Sequence, residues 1–293
     1  WQRNTRFVNA RSVFHLTIIN YSLVDEKLQK VLANLGYASR REIERWISAG
    51  RIAINGKQAS LGDRVSEKDK IMVDGRYVQR KKEQLATRVL VLNKPIDTVC
   101  TSSDPEGRPT VFTLLPRLYH DRWIAVGRLD INSTGLLLFT NNGELANRLM
   151  HPRHEVEREY AVRVLGQVNP KTIKILETGV ELDDGTAKFV TICDAGGQGA
   201  NHWYHVTLKE GRNREVRRLW EAVGHKVSRL HRIRYGPVQL PRSIKPGRQE
   251  ELDSSATDLL LEFVGLPKQA SSDTKEKADT SKQRRSKYQR RRK

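Results

Sequence analysis

The stretch "AVGRLDINSTGLLLFT", residues 125–140, sets a single acid, Asp130, between Gly127-Arg128-Leu129 and a strongly apolar run. A short apolar run bounded by turn residues reads as a buried strand. Asp130 is therefore expected where a strand ends and enters a loop at a cleft, with Leu136–Phe139 as the next buried strand, which fixes that loop. Working outward, strand-like runs occur at "VLVLNKP", "WIAVGRL", "REYAVRVLG", "AKFVTICDA" and "WYHVTLKEG". Helical patterns occur at "ELANRLM", "PKTIKILETG" and "REVRRLWEAVG". Strands outnumber helices, which predicts an α+β domain on a mixed, mainly antiparallel sheet flanked by helices.

The 293 residues hold 53 Lys+Arg against 34 Asp+Glu, a formal charge of +19. Such an excess favours a polyanionic partner, nucleic acid ahead of an anionic membrane surface. Cys100 and Cys193 stand far apart with no metal-ligand spacing, which argues against disulfides and zinc and fits a reducing compartment, the cytoplasm. No run approaches the roughly 20 apolar residues of a membrane helix. The pairs His151/His154 and His202/His205 lack companions at ligand spacing, so no metal is expected. Asp183-Asp184-Gly185 reads as a hairpin turn and not as a paired-carboxylate site.

Residues 1–24 are basic and acid-free, without an initiating methionine or a signal-peptide core, and are expected to be a disordered or artefactual leader. From Asp25, Leu28, Val31, Leu32 and Leu35 fall on one helix face that Gly36 ends. Ser39 and Glu42 form a capping box for a second helix, whose apolar side is Ile43, Trp46 and Ile47 and whose other sides carry Arg40, Arg41 and Arg45. "RIAINGK" and "KIMVDGR" read as strands turning at Asn55-Gly56 and Asp74-Gly75. The expected organisation is a small domain over 25–78, a linker over 79–88, a catalytic domain over 89–266 and a basic, disordered tail over 267–293. That tail reads as a nonspecific RNA clamp, with a merely solvated tail as the alternative.

Two resemblances follow from these motifs. "ASRREIERWISAGRIAINGK", within residues 25–76, resembles the S-four RNA-binding module, which implies phosphate contacts from Arg40, Arg41 and Arg45. "GRLDINSTGLLLFT", "SDPEGRPTVF", "GELANRLMHPRHEVEREYAVRV" and "EGRNREVRRLWEAVG" resemble, in order, the motifs of the pseudouridine synthases, in the branch that modifies ribosomal RNA and carries an S-four module. The resemblance implies cofactor-free isomerisation of uridine to pseudouridine, with large-subunit (23S) ribosomal RNA or a pre-ribosomal particle as partner, and a monomeric enzyme.

The resemblance makes Asp130 the catalytic carboxylate, acting either as nucleophile or by taking a proton from the sugar. Motif order makes Arg217 the guanidinium that keeps it ionised. Tyr160 takes the place of the active-site tyrosine, able to stack on a flipped uracil. Arg128 fills the space of the flipped base or grips its phosphate, and Arg214 joins the RNA-binding candidates. Two departures stand out. The usual threonine three residues after the aspartate is Ser133 followed by Thr134, and the K-P-x-G element reads Lys94-Pro95-Ile96-Asp97. The rival function is a non-enzymatic ribosomal-RNA-binding or assembly protein on the same fold. A two-carboxylate sugar hydrolase would need a second acid that the spacing does not supply.

Overall fold

The computed structural model describes residues 25–80, 86–118 and 121–269. The expected leader, the middle of the expected linker and nearly all of the basic tail lie outside these residues. The chain divides into two compact units between Lys82 and Glu83.

The first unit runs β1 (Glu26–Lys27), α1 (Leu28–Asn34), α2 (Arg40–Ser48), β2 (Ile52–Ile54), β3 (Lys57–Gln58), β4 (Arg64–Val65), β5 (Ile71–Val73) and β6 (Arg76–Tyr77). Leu28, Leu32, Ile43 and Ile47 bury the facing sides of the two helices against Ile52, Ile71 and Val73. Asn55-Gly56 and Asp74-Gly75 all have positive φ, the backbone that a two-residue hairpin turn requires. Ser39 Oγ accepts the Glu42 amide at 3.2 Å. The return half of the expected capping box is replaced: Glu42 accepts from Trp46 Nε1 at 2.9 Å and pairs with Arg45 at 2.7 Å.

The second unit opens with β7 (Val89–Lys94), β8 (Ile124–Val126), β9 (Thr134–Thr140), α3 (Gly143–Met150), β10 (Arg158–Leu165) and α4 (Pro170–Thr178). A hairpin follows, β11 (Val180–Leu182) and β12 (Gly185–Ala187), turning at Asp183-Asp184 as the sequence predicts. Then come β13 (Thr191–Gln198), β14 (Asn201–Leu208), α5 (Glu215–Ala222), β15 (Val227–Tyr235), β16 (Val238–Gln239), β17 (Gln249–Glu251) and α6 (Ser254–Phe263). The main sheet has the order β13-β14-β10-β15-β9-β7-β17, with β16 added to β15 and β8 to β9. Its pairings are antiparallel except β15 with β9, so the sheet is mixed and mainly antiparallel with helices packed on it.

Strand alternation divides the interior between the two faces of this sheet. On β7 and β9, Leu90, Leu92, Leu137 and Phe139 pack at the front, with Leu129 and Trp123. Val89, Val91, Leu136 and Leu138 pack at the back, beneath α3 and α6. On β10 and β14, Val162, Val164, Tyr204, Val206 and Leu208 bury against Leu176 of α4 and Val216, Leu219 and Trp220 of α5. Tyr160 packs against both this cluster and the one containing Leu129, so it lies at the front where the two halves meet.

The central strand, β15, has no counterpart among the expected elements. Its sequence "VSRLHRIRY" is rich in charge, and Arg232 is 3% exposed in its middle. The join to β9 is short and tight: His231 pairs with Thr134 and Arg232 with Gly135. Gly135 has φ +100°, and a Cβ there would stand 2.3 Å from the Arg232 carbonyl oxygen. Glycine is required twice over, by backbone conformation and by close approach. Gly135→Ala should therefore cost about 2–4 kcal/mol in urea unfolding. Gly127→Ala, at φ +79° with open space around it, should cost only about 1–2 kcal/mol.

Candidate active site

Asp130 lies in the loop between β8 and β9, and its side chain is 31% exposed. The preceding strand stops earlier than the "WIAVGRL" run suggests, at Val126, leaving Gly127–Leu129 as loop. Leu129 is buried in the front cluster, and its amide donates to Cys100 Sγ at 3.4 Å. Beyond Asp130 the chain turns, with the Ser133 amide donating to the Asp130 carbonyl at 3.0 Å.

Two buried cations then take the next three carbonyls. Lys94, fully buried at the end of β7, donates from Nζ to Ser133 O at 2.8 Å, Pro95 O at 2.9 Å and Ile131 O at 3.4 Å. Arg217, 5% exposed in the first turn of α5, donates to Asn132 O at 3.1 Å and Val227 O at 3.0 Å. Burial pushes both groups below their ordinary basicity, and the Asp130 carboxylate counters that effect in each. The Asp97 amide adds a second bond to Ile131 O at 3.0 Å.

Arg217, the guanidinium expected to keep Asp130 ionised, feels the carboxylate's charge but does not make its ion-pair contact. The ion-pair contact of Asp130 is with Arg214 Nη1, at 3.8 Å. Arg214 holds the left-handed N-cap of α5, φ 49°, and this places it ahead of the helix on the side of Asp130. Arg217 sits one turn further in and acts on the loop backbone. The neighbouring arginines go elsewhere: Arg218 makes a bidentate bond to Asp184 at 2.9 Å on each oxygen, and Arg212 binds the carbonyls of Gly185 and Thr186. Order in the motif does not tell four arginines apart. The direction in which the helix starts does.

Tyr160 is half-buried at the β10 bulge, beside Arg232 on the neighbouring strand, which in turn pairs with Gly135. Arg232 Nε donates to Leu136 O at 2.7 Å, tying β15 to the start of β9. The structure thus sets Arg214 beside Asp130 and Arg217 on its loop, with Tyr160 packed against the cluster that holds Leu129 and with Arg128 exposed on the same loop. Sequence reasoning missed Lys94 and Arg232. Lys94 is a lone charge at the end of a strand-like run and Arg232 is one of several charges in a run with no strand signal, and the neighbours of both in the fold come from distant parts of the chain. Among the described residues no group of three His, Cys, Asp or Glu could hold a metal, and no helix is long and apolar enough to cross a membrane.

Residues 88–222 match the family model of RNA pseudouridylate synthase, and residues 26–71 match that of the S4 domain. The ribosomal large subunit pseudouridine synthase B of Escherichia coli (strain K12) is 58% identical over 252 residues, 85% of this chain and 87% of its own. The chain belongs to the RNA pseudouridine synthases. The Pseudomonas aeruginosa relative of the same name is 59% identical over 245 residues, which make up 83% of this chain and 64% of that protein. A crystal structure of a pseudouridylate synthase superposes with a TM-score of 0.56 at 27% identity, covering 80% of this chain and 99% of the other.

The family's departures now have physical accounts. Asp97, where K-P-x-G has glycine, adopts φ +60°. The position demands the left-handed region, which aspartate tolerates better than most residues. Ser133 is 1% exposed, whereas Thr134 faces the back and places Oγ1 2.8 Å from His231 Nδ1. In the S4 domain of this pseudouridine synthase, Arg41 and Arg45 line a hollow of ≈420 Å³ with Leu61 and Glu44, and Arg40 is exposed at the start of α2.

Two substitutions test how the loop is held. Asp97→Gly should raise stability by up to about 1 kcal/mol by removing a left-handed aspartate. Lys94→Met should lower it by about 1–3 kcal/mol, because three carbonyls lose their cationic donor and only that of Ile131 keeps another, the Asp97 amide. The same variant should speed hydrogen exchange at the Ser133 amide.

Proposed function

We propose that this synthase isomerises uridine to pseudouridine in large-subunit ribosomal RNA, without a cofactor and with Asp130 as the catalytic group. The observation that carries this reading is the fixed loop itself. One partly exposed carboxylate has a guanidinium at 3.8 Å, and the backbone behind it is held by two buried cations. The names of the relatives point to large-subunit ribosomal RNA as the substrate, and the charge of +19 suits such a partner.

In this reading a flipped uridine enters between Asp130 and Tyr160. The carboxylate either attacks or removes a sugar proton, so that the glycosidic bond breaks. The freed uracil turns on the Tyr160 ring and rejoins the sugar through carbon five, which gives up its proton, while N1, released from the sugar, takes one, so that the product is an isomer of uridine. Arg214 keeps negative charge on Asp130, Arg217 keeps the loop in place, and Arg128 occupies the gap in the RNA or holds the flanking phosphate. Arg40, Arg41 and Arg45 add phosphate contacts from the S4 domain, and the residues after Leu266 add a nonspecific basic clamp. The enzyme acts as a monomer in the cytoplasm, on free RNA or on a pre-ribosomal particle.

Asp130→Asn should abolish turnover while leaving folding and RNA affinity nearly intact, as read by chemical mapping of pseudouridine beside a binding titration. Turnover well above background in the purified variant would remove Asp130 from the chemistry. Arg214→Gln should lower kcat by about tenfold with KM little changed, because it removes only a partly exposed ion pair. Arg217→Met should lose both activity and stability, having released Asn132 O and Val227 O.

Tyr160→Phe should keep RNA affinity, since the stacking surface remains, whereas Tyr160→Ala should lose about 1–3 kcal/mol of binding. Equal, wild-type behaviour of both would reduce Tyr160 to a packing residue. Arg40→Gln with Arg41→Gln should reduce activity on structured ribosomal RNA more than on a short fragment, which cannot reach the S4 domain.

A further inference from the structure

The back of the sheet in the second unit is covered only in part. Beneath α3 and α6 it is apolar, but on β14, β10 and β15 the back-facing positions carry polar, charged and aromatic side chains. A groove of ≈630 Å³ runs here, between these strands and the loop that follows β16. His205, Glu159, His231 and Arg234 line it from the strands, and Arg242 and Lys245 from the loop. That loop is firmly held. Ile244 is buried in the back core, the Asn93 side-chain amide donates to Ile244 O at 2.7 Å, and Asn93 exchanges backbone bonds with Gly247 and Arg248.

The charges in the groove are unequal. Arg234 is answered by Glu159 at 2.8 Å and by Glu157 at 3.1 Å. Arg242 and Lys245 are exposed and have no ion pair among the described residues. Next to the groove on the same face, the Arg163 guanidinium lies over the Trp203 ring at 5.9 Å, an aromatic surface beside a cation. Asn93, 6% exposed, keeps its Oδ1 without a hydrogen-bond partner.

We propose that this groove is a second RNA-binding site, taking the sugar-phosphate backbone of the substrate at a distance from the uridine that reacts. Arg242 and Lys245 hold phosphates, and an unanswered cation pair on a fixed loop suits a polyanion. His231 connects the groove to the catalytic loop, since its partner Thr134 follows Asp130 by four residues and starts β9. The site would select for long or folded RNA without choosing the base. The inference rests on ribosomal RNA being the substrate, and not on the role given to Asp130.

The test compares the full-length double variant Arg242→Gln/Lys245→Gln with a control of equal charge change, Lys171→Gln/Lys174→Gln on α4. Each is titrated with a large-subunit ribosomal RNA transcript and with the stem-loop around the uridine that mapping identifies. The groove variant should bind the transcript about tenfold more weakly, with a slope of log affinity against log salt smaller by roughly 1.4–1.8, and should process the stem-loop with unchanged kcat/KM. An equal loss in the control would reduce the effect to net charge and overturn the proposal. So would an unchanged transcript titration, or an equal loss on the stem-loop, which would assign the groove to the catalytic cleft. If the wild-type enzyme left both RNAs unmodified, the substrate reading would fall, while the transcript titration would still decide the groove.

Discussion

Everything at the active site depends on two desolvated cations that face backbone carbonyls. A buried lysine or arginine is costly unless its protons meet acceptors. Lys94 and Arg217 find acceptors at Ile131, Asn132 and Ser133, the three residues after Asp130, although Arg217 Nε is left without one. The cost of burying the charges is offset in part by giving a tight turn's carbonyls their donors. The carboxylate is thereby fixed without being enclosed, so one end of the loop is rigid and the other is open to solvent.

The same economy explains why so few of the many arginines belong to the chemistry. The run "GRNREVRRL" spreads its guanidinium groups over three tasks: the β11–β12 hairpin for Arg212 and Arg218, the Asp130 carboxylate for Arg214, and the loop backbone for Arg217. Arg232 serves a fourth, joining two strands through Leu136 O. In a chain of high positive charge, burial separates structural guanidinium groups from those left for RNA. Arg217 and Arg232 are buried, whereas Arg214 and Arg128 remain accessible.

Much of this was legible in the sequence because it was written locally. Leu136–Phe139 alternate between two cores, Asn55-Gly56 turns a hairpin, and Ser39 caps a helix; each signal lies within a few residues of its effect. The Asp130 loop was legible through its motif. The central strand was not, because "VSRLHRIRY" alternates poorly and buries an arginine whose acceptor lies 96 residues away. The ion-pair contact of Asp130 with Arg214 was not legible for a related reason. Arg214 and Arg217 differ by three positions, and only the left-handed start of α5 decides which of them faces the carboxylate.

The parallel join between β9 and β15 is only two residue pairs long, His231 with Thr134 and Arg232 with Gly135. It closes a loop of nearly a hundred residues, a contact whose entropy cost delays it during folding. On a ribosome, the Asp130 loop is synthesised long before the strand that completes its surroundings leaves the exit tunnel. A nascent chain halted before Val227 would hold Asp130 and lack the strand that pairs with Thr134 and Gly135. The order of synthesis thus leaves the Asp130 loop without its β15 neighbour until most of the second unit has been made.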